Sequence, residues 1–135
     1  MINEASARII FIMKFNPNLS KELEQAKEML IIVEGKKDFL ALNELGFKNI
    51  FIINESGKSI YEKIEEIEEK AGKSKICILT DFDKKGKQLY LLLKAELSQR
   101  KVRLDNTFRG LLLKENISHI EGLASFMKKR KQEQN

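Results

Sequence analysis

Two short acidic motifs contain the residues of this sequence whose types and spacing best suit metal binding or catalysis. Glu34 follows the apolar run 29–33, and Asp81 and Asp83 follow the apolar run 76–79. Carboxylates placed just beyond buried strands can hold a hard divalent cation such as Mg²⁺ against a phosphate. A metal held there polarises the phosphate and activates water or a hydroxyl for attack. If the two motifs are neighbours in the fold, they therefore predict metal-dependent phosphodiester chemistry.

The spacing of the acidic residues supports a shared metal site. Asp81 and Asp83 are two residues apart, so in an extended segment their side chains point the same way. Three crowded carboxylates repel one another, and they stay ionised most readily with a cation between them. Mg²⁺ suits such a site, and Mn²⁺ could replace it. Gly35 and Gly86 allow tight backbone beside Glu34 and the aspartates.

Each motif also has a simpler interpretation. Asp81 and Asp83 could begin a turn and cap the following helix, and Asp-x-Asp taken alone favours this. A Glu-Gly pair after a strand is equally unspecific by itself. The two motifs together, in this order and each after an apolar run, favour the metal site.

Four lysines flank the carboxylates, namely Lys36, Lys37, Lys84 and Lys85. They could neutralise nucleic-acid phosphates near a metal, or they could be solvated charges that balance the local acid. A second basic stretch comprises Arg100, Lys101, Arg103, Arg109 and Lys114. The net charge of +5 and the pI of about 9.3 are compatible with a polyanionic partner without establishing one.

The elements that must position these residues follow from three continuous, isoleucine-rich runs at 29–33, 50–53 and 76–79. Such runs are typical of central strands that are covered on both faces of a parallel sheet. Val102 and Leu104 alternate with charged residues and predict a fourth, less buried strand. Helical patterns lie between the strands, at 38–45, 59–71 and 87–98, whereas the apolar segment 108–113 is ambiguous.

The alternation of strands and helices predicts an α/β domain of three layers with a mainly parallel four-stranded sheet. All strands then end at one edge of the sheet, where ligands bind, so the two acidic motifs should meet there. We expect an N-terminal extension over 1–28 with a helix over 19–28, the domain itself over 29–127 with a last helix from 117 to 127, and a basic tail over 128–135.

The sequences IIVEGKKD at 31–38 and LTDFDKKG at 79–86 resemble the Toprim domain. That domain is shared by topoisomerases, bacterial-type primases, OLD-family nucleases and the maturase of 5S ribosomal RNA. The resemblance covers about residues 29–127 and is closest to small stand-alone Toprim proteins of archaea and bacteria. It implies a Rossmann-like four-stranded sheet. It also implies that Glu34 is a general acid/base or metal-associated carboxylate and that Asp81 and Asp83 coordinate magnesium.

The resemblance and the acidic residues together predict a magnesium-dependent nuclease or phosphotransferase that acts on RNA or DNA. The alternative is a non-catalytic nucleic-acid-binding or scaffold subunit of an RNA-processing or DNA-repair assembly. Tyr61 and Tyr90 fall in predicted helices, where we expect packing or surface roles, so topoisomerase activity is not expected.

Composition excludes several other classes of protein. One cysteine, Cys77, rules out an internal disulfide framework and fits a reducing cytosol, so we expect a cytoplasmic protein. No apolar run approaches the roughly 18 residues of a membrane span. Two Gly-Lys-Ser tripeptides lack the earlier glycine of a phosphate-binding P-loop, because Ile52 and Ile67 occupy that position.

Overall fold

The computed structural model describes residues 18–114. Residues 1–17, the predicted helix over 117–127 and the basic tail over 128–135 lie outside the described part. In chain order the elements are α1 (Asn18–Ala26), β1 (Leu30–Val33), α2 (Lys36–Glu44), β2 (Ile50–Ile52), a 3₁₀ turn (Ile53–Glu55), α3 (Ile60–Ala71), β3 (Lys75–Ile78), α4 (Lys84–Ser98), β4 (Arg103–Leu104) and α5 (Thr107–Lys114).

The four strands form one sheet in the order β2-β1-β3-β4, and every pair is parallel. The predicted α/β class and four-stranded parallel sheet are confirmed. The chain leaves β1 toward β2 on one side and later returns to β3 on the other. The carboxyl ends of β1 and β3 therefore form the crevice in which open α/β sheets bind ligands.

The sheet is covered on both faces, which confirms the three layers. On one face, side chains such as Ile31, Val33 and Cys77 pack against α1, α2 and α5. On the other face, Ile32 and Ile78 pack against α3 and α4. The strands can be continuously apolar because successive side chains enter two different cores.

Helix α1 is part of the first of these cores. Leu23 and Ala26 are buried there with Phe108 and Leu112 of α5. The helix predicted over 19–28 thus packs onto the sheet as well as leading into β1.

Two helices begin earlier than predicted, at Lys36 instead of residue 38 and at Lys84 instead of residue 87. In both cases the N-cap belongs to an acidic motif: Gly35 precedes α2, and Asp83 precedes α4. The ambiguous segment 108–113 is helical, within α5. Among residues 18–114, no helix combines the length and the apolar character that crossing a membrane requires.

Candidate functional site

The two acidic motifs are neighbours at the carboxyl ends of β1 and β3. Their strands pair up to the start of the second motif, where the Leu79 N–H donates to the Ile32 carbonyl at 2.7 Å. Just beyond, the Asp81 N–H donates to Oε2 of Glu34 at 2.7 Å. Both acidic residues are half-buried. The structure thus brings Glu34 and Asp81 together, as the parallel topology predicts.

Asp83 makes a different contact. It is exposed, and its Oδ1 accepts the Gly86 N–H at 2.8 Å, which makes it the side-chain cap of α4. Over residues 18–114, no group of three histidine, cysteine or carboxylate side chains is arranged to hold a metal ion. Asp83 thus makes the capping contact, and its role as a metal ligand stays a prediction. Glu34 and Asp81, whose contact is shown, are called the acidic pair below.

The two glycines of the motifs have different surroundings. A Cβ atom on Gly86 would lie 2.0 Å from the Asp81 carbonyl oxygen and 2.6 Å from its carbon, so only glycine fits there without movement of the backbone. Gly35 has an extended backbone with φ of −138°, and a Cβ there would meet nothing within 4 Å. Close approach of the backbone thus requires glycine at position 86 but not at position 35.

Hydrogen bonds of buried side chains also stabilise the turn after β3. The buried Thr80 hydroxyl donates to the Gly86 carbonyl at 2.8 Å. Arg109 of α5, only 4% exposed, donates from Nη1 to the carbonyls of Ile78 at 3.2 Å and Thr80 at 2.6 Å. Its Nη2 reaches the Asp81 carbonyl at 3.5 Å.

The sequence alone placed Arg109 in a basic stretch and gave it no link to the acidic motifs. Burial lowers its pKa below the usual value for arginine, whereas Tyr90, Cys77, Glu34 and Asp81 oppose the shift. Arg109 lies in the segment 108–113, whose structure the sequence left ambiguous, and nothing in that segment indicated that its side chain contacts the β3 main chain.

The four flanking lysines are exposed and lie in the first turns of α2 and α4. A helix N-terminus carries partial positive charge, so cations are slightly unfavourable there and anions are favoured. Lys36, Lys37, Lys84 and Lys85 therefore add to the positive field on both sides of the acidic pair. That field suits the phosphates of a ligand.

A surface groove of about 590 Å³ runs along the outer edge of β2. Lys36, Phe39 and Phe51 line it, together with Glu66 and Glu69 of α3. Neither Glu34 nor Asp81 belongs to its lining. The groove is thus beside the acidic pair and not part of it.

The donor set of the pair fits a magnesium ion. Mg²⁺ takes oxygen ligands and is usually bound through one or two carboxylates together with waters and substrate phosphates. Glu34 and Asp81 would each contribute one carboxylate to such a set. One hydrogen bond to Oε2 leaves Glu34 further acceptor capacity, since a carboxylate has about four lone-pair positions.

This chain is similar to known proteins over more than half of its length. The Toprim domain model matches residues 28–107, more than half of the chain and a range that contains both acidic motifs. UPF0292 protein MJ1624 of Methanocaldococcus jannaschii is 34% identical over 109 residues, which are 78% of this chain and 84% of that protein. A solved structure of an Aquifex aeolicus protein is 36% identical, has a TM-score of 0.65, and covers 78% of this chain and 95% of its own.

Toprim domains generally bind divalent metals such as magnesium, and the family is associated with nucleic acids. The match to the domain model, the all-parallel sheet and the similarity to small relatives all indicate the same family. The chain belongs to the Toprim family, among its small UPF0292-type members.

Proposed function

We propose that this protein is a magnesium-dependent nuclease or phosphotransferase that acts on nucleic acid. The observation that carries the proposal is the contact between Glu34 and the Asp81 main chain at the crevice between β1 and β3. Membership of the Toprim family supports a nucleic-acid-related role in general. The acidic pair supports phosphate chemistry as that role, because a cation held there would neutralise charge at a reacting phosphate.

Glu34 and Asp81 would hold the cation, either Mg²⁺ or Mn²⁺. A cation bound there supplies charge neutralisation and polarises the scissile phosphate. With its Oε2 held by the Asp81 N–H, Glu34 is fixed in orientation, and we assign to its Oε1 the exchange of a proton with water or the leaving hydroxyl. Asp83 fixes the first turn of α4 and adds negative charge nearby.

The basic residues would position the nucleic acid. Lys36, Lys37, Lys84 and Lys85 lie on both sides of the acidic pair and would contact phosphates on either side of the scissile bond. RNA or DNA is the expected substrate, and an RNA-processing or repair complex in the cytoplasm is the expected setting. Binding through these lysines should weaken steeply as salt is raised.

A second candidate is a non-catalytic nucleic-acid-binding or scaffold subunit. Its supporting observations are that the Asp83 side chain caps α4 and that, among residues 18–114, no three carboxylates are arranged to hold a metal ion. This candidate predicts salt-sensitive binding of RNA or DNA that the acidic substitutions leave intact, and no cleavage.

A cleavage assay separates the two candidates. The purified chain is incubated with mixed structured RNAs and DNAs in Mg²⁺ or Mn²⁺, alongside Glu34→Gln and Asp81→Asn. We expect cleavage by the wild type and a loss of about 100-fold or more in Glu34→Gln, the usual contribution of a general acid or base. A comparable loss is expected in Asp81→Asn, which neutralises a carboxylate that would hold the cation. Glu55→Gln is the matched control, because Glu55 is an exposed carboxylate just after β2.

Cleavage that survives in both acidic variants would contradict the proposal. Binding that is unchanged in both variants, with no cleavage in the wild type, would instead establish the non-catalytic candidate.

A further inference from the structure

We propose that Arg109 is a positioning residue, whose buried guanidinium fixes the main chain at the end of β3 and thereby holds Glu34 and Asp81 in one arrangement. The inference rests on the proposed function only for what the acidic pair does. The positioning itself stands on the hydrogen bonds of Arg109, Thr80 and Glu34.

Arg109 supplies hydrogen-bond donors to β3 beyond the point at which the neighbouring strand β4 ends. Strand β4 has two residues and pairs with β3 only at Lys75 and Ile76. On the side of β3 that faces β4, the Asp105 N–H also donates to the Ile76 carbonyl, at 2.9 Å. Carbonyls two and four residues further along point to that same side, because carbonyls alternate along a strand.

Those next two carbonyls belong to Ile78 and Thr80, and both accept from Nη1 of Arg109, at 3.2 and 2.6 Å. Both residues are buried, so carbonyls without partners there would cost free energy. The guanidinium therefore satisfies the main chain of β3 beyond the end of β4. It also reaches the Asp81 carbonyl at 3.5 Å.

One peptide group links Arg109 to Glu34. The carbonyl of Thr80 accepts from Arg109 at 2.6 Å, and the N–H of the same peptide, that of Asp81, donates to Oε2 of Glu34 at 2.7 Å. A peptide group is planar and resists rotation about its C–N bond. Fixing the direction of the Thr80 carbonyl therefore fixes the direction of the N–H that holds Glu34.

The guanidinium is itself locked in place. Its centre lies 4.1 Å from the centroid of the Tyr90 ring and 4.6 Å from that of Phe82. Stacking of this kind stabilises a desolvated cation. Burial of a charge is costly, and packing alone would be served by an apolar side chain of similar volume. The hydrogen bonds to the β3 main chain account for an arginine at this position.

Lysine should not replace arginine here. The guanidinium is a rigid planar fork with five donors, whereas the ammonium of lysine is a compact point charge on a flexible stem. Arg109→Lys therefore keeps the charge but loses the fixed geometry. A simple charge effect and a positioning role also predict opposite effects of Arg109→Met on the affinity for Mn²⁺. Removing a nearby positive charge would tighten Mn²⁺ binding, whereas losing the position of the pair would weaken it.

The test uses two readouts on Arg109→Lys and Arg109→Met. The first is the Asp81 amide in nitrogen–proton correlation spectra, through its chemical shift and its hydrogen-exchange protection. This readout requires no metal or substrate, and Glu34→Ala shows how the signal responds when the side-chain acceptor is lost. The second is the Mn²⁺ dissociation constant of the folded protein, followed by electron paramagnetic resonance.

We expect both Arg109 variants to shift the Asp81 amide and reduce its protection, and to raise the Mn²⁺ dissociation constant about 10- to 100-fold, as loss of outer-shell support usually does. Arg100→Lys is the matched control, because Arg100 is bonded to Glu68, away from the acidic pair. It should change neither readout.

Folded Arg109→Lys protein with a wild-type Asp81 amide would overturn the proposal, whatever its melting temperature. Tighter Mn²⁺ binding by Arg109→Met would overturn it in favour of a simple charge effect. If wild-type protein binds no Mn²⁺, the proposed function fails, and the Asp81 amide still decides the role of Arg109. If the Arg109 variants do not fold, Tyr90→Leu, which removes the stacking ring, decides by the same amide signal, with Tyr90→Phe as its control.

Discussion

Asp81 and Asp83 lie two residues apart and have different partners. The main chain of Asp81 is tied to Glu34 and Arg109, whereas the side chain of Asp83 caps α4 through the Gly86 N–H. A metal-ligand role and a capping role use the same residue type at the same spacing. Sequence therefore could not decide between them for Asp83, and the hydrogen bond to Gly86 favours the cap.

Substitutions at Asp83 separate its two roles. Asparagine keeps the side-chain oxygen that accepts the Gly86 N–H, so Asp83→Asn should leave the free energy of unfolding nearly unchanged, while Asp83→Ala should lower it by about 1 kcal/mol. Because the charge is exposed and screened, Asp83→Asn should weaken Mn²⁺ binding by less than about tenfold. Denaturant unfolding and Mn²⁺ titration measure both quantities. A loss of about 100-fold in affinity would make Asp83 a direct ligand.

Glu34 and Arg109 show what a sequence reveals about single residues. The contact of Glu34 with the second motif follows from two strand ends and a parallel sheet, so it was predictable. Arg109 is 31 residues from Ile78 in the chain, and its role depends on where β4 stops and how α5 packs. Nothing in the local pattern around Arg109 encodes those long-range contacts.

The turn that joins β3 to α4 is the element that shapes the site. Three interactions hold it: the bond of Thr80 to the Gly86 carbonyl, the bond of Asp83 to the Gly86 N–H, and the close packing of Gly86 on Asp81. All three converge on Gly86, the third residue of α4. The first turn of α4 thus fixes the backbone that presents Asp81.

Gly86→Ala should disturb this turn. The new methyl group would overlap the Asp81 carbonyl, so we expect the free energy of unfolding to fall by about 1–3 kcal/mol, the usual cost of overpacking. Displacement of Asp81 should also weaken Mn²⁺ binding. Gly35→Ala is the control, because its methyl group meets nothing within 4 Å and its φ is negative. Wild-type Mn²⁺ affinity in folded Gly86→Ala would refute this role of the turn.

The elements themselves were predictable to different degrees. The three isoleucine-rich strands β1, β2 and β3 have a strong pattern, and β1 and β3 are central and buried on both faces. The expectation of a central strand at 50–53 was wrong, because β2 lies at the edge of the sheet with Phe51 and Ile52 half-buried. The helix starts at Lys36 and Lys84 were missed because the caps lie within the motifs. Helix α5 was ambiguous because its eight residues owe their helical state to tertiary contacts, namely burial of Phe108 and Leu112, and to Asp105, which accepts the Thr107 N–H.

Within residues 18–114, charged residues surround the crevice between the ends of β1 and β3. The strand order brings the ends of β1 and β3 together, and the two helices that follow them begin with lysine pairs. This arrangement follows from the order of strands and helices along the chain, which could be predicted from the sequence. The packing of α1 onto α5 did not follow from it, because that contact joins segments more than 80 residues apart, as with Leu23 and Leu112.

The central claim is that Glu34 and Asp81 form one metal site, and Mn²⁺ binding tests it most directly. Electron paramagnetic resonance titration of wild type, Glu34→Gln, Asp81→Asn and the double variant gives four dissociation constants, with Glu55→Gln as control. We predict that each single substitution weakens binding at least about tenfold, and that the double variant loses less than the sum of the two, since coupled residues are not additive. Wild-type affinity in either single variant would contradict the claim.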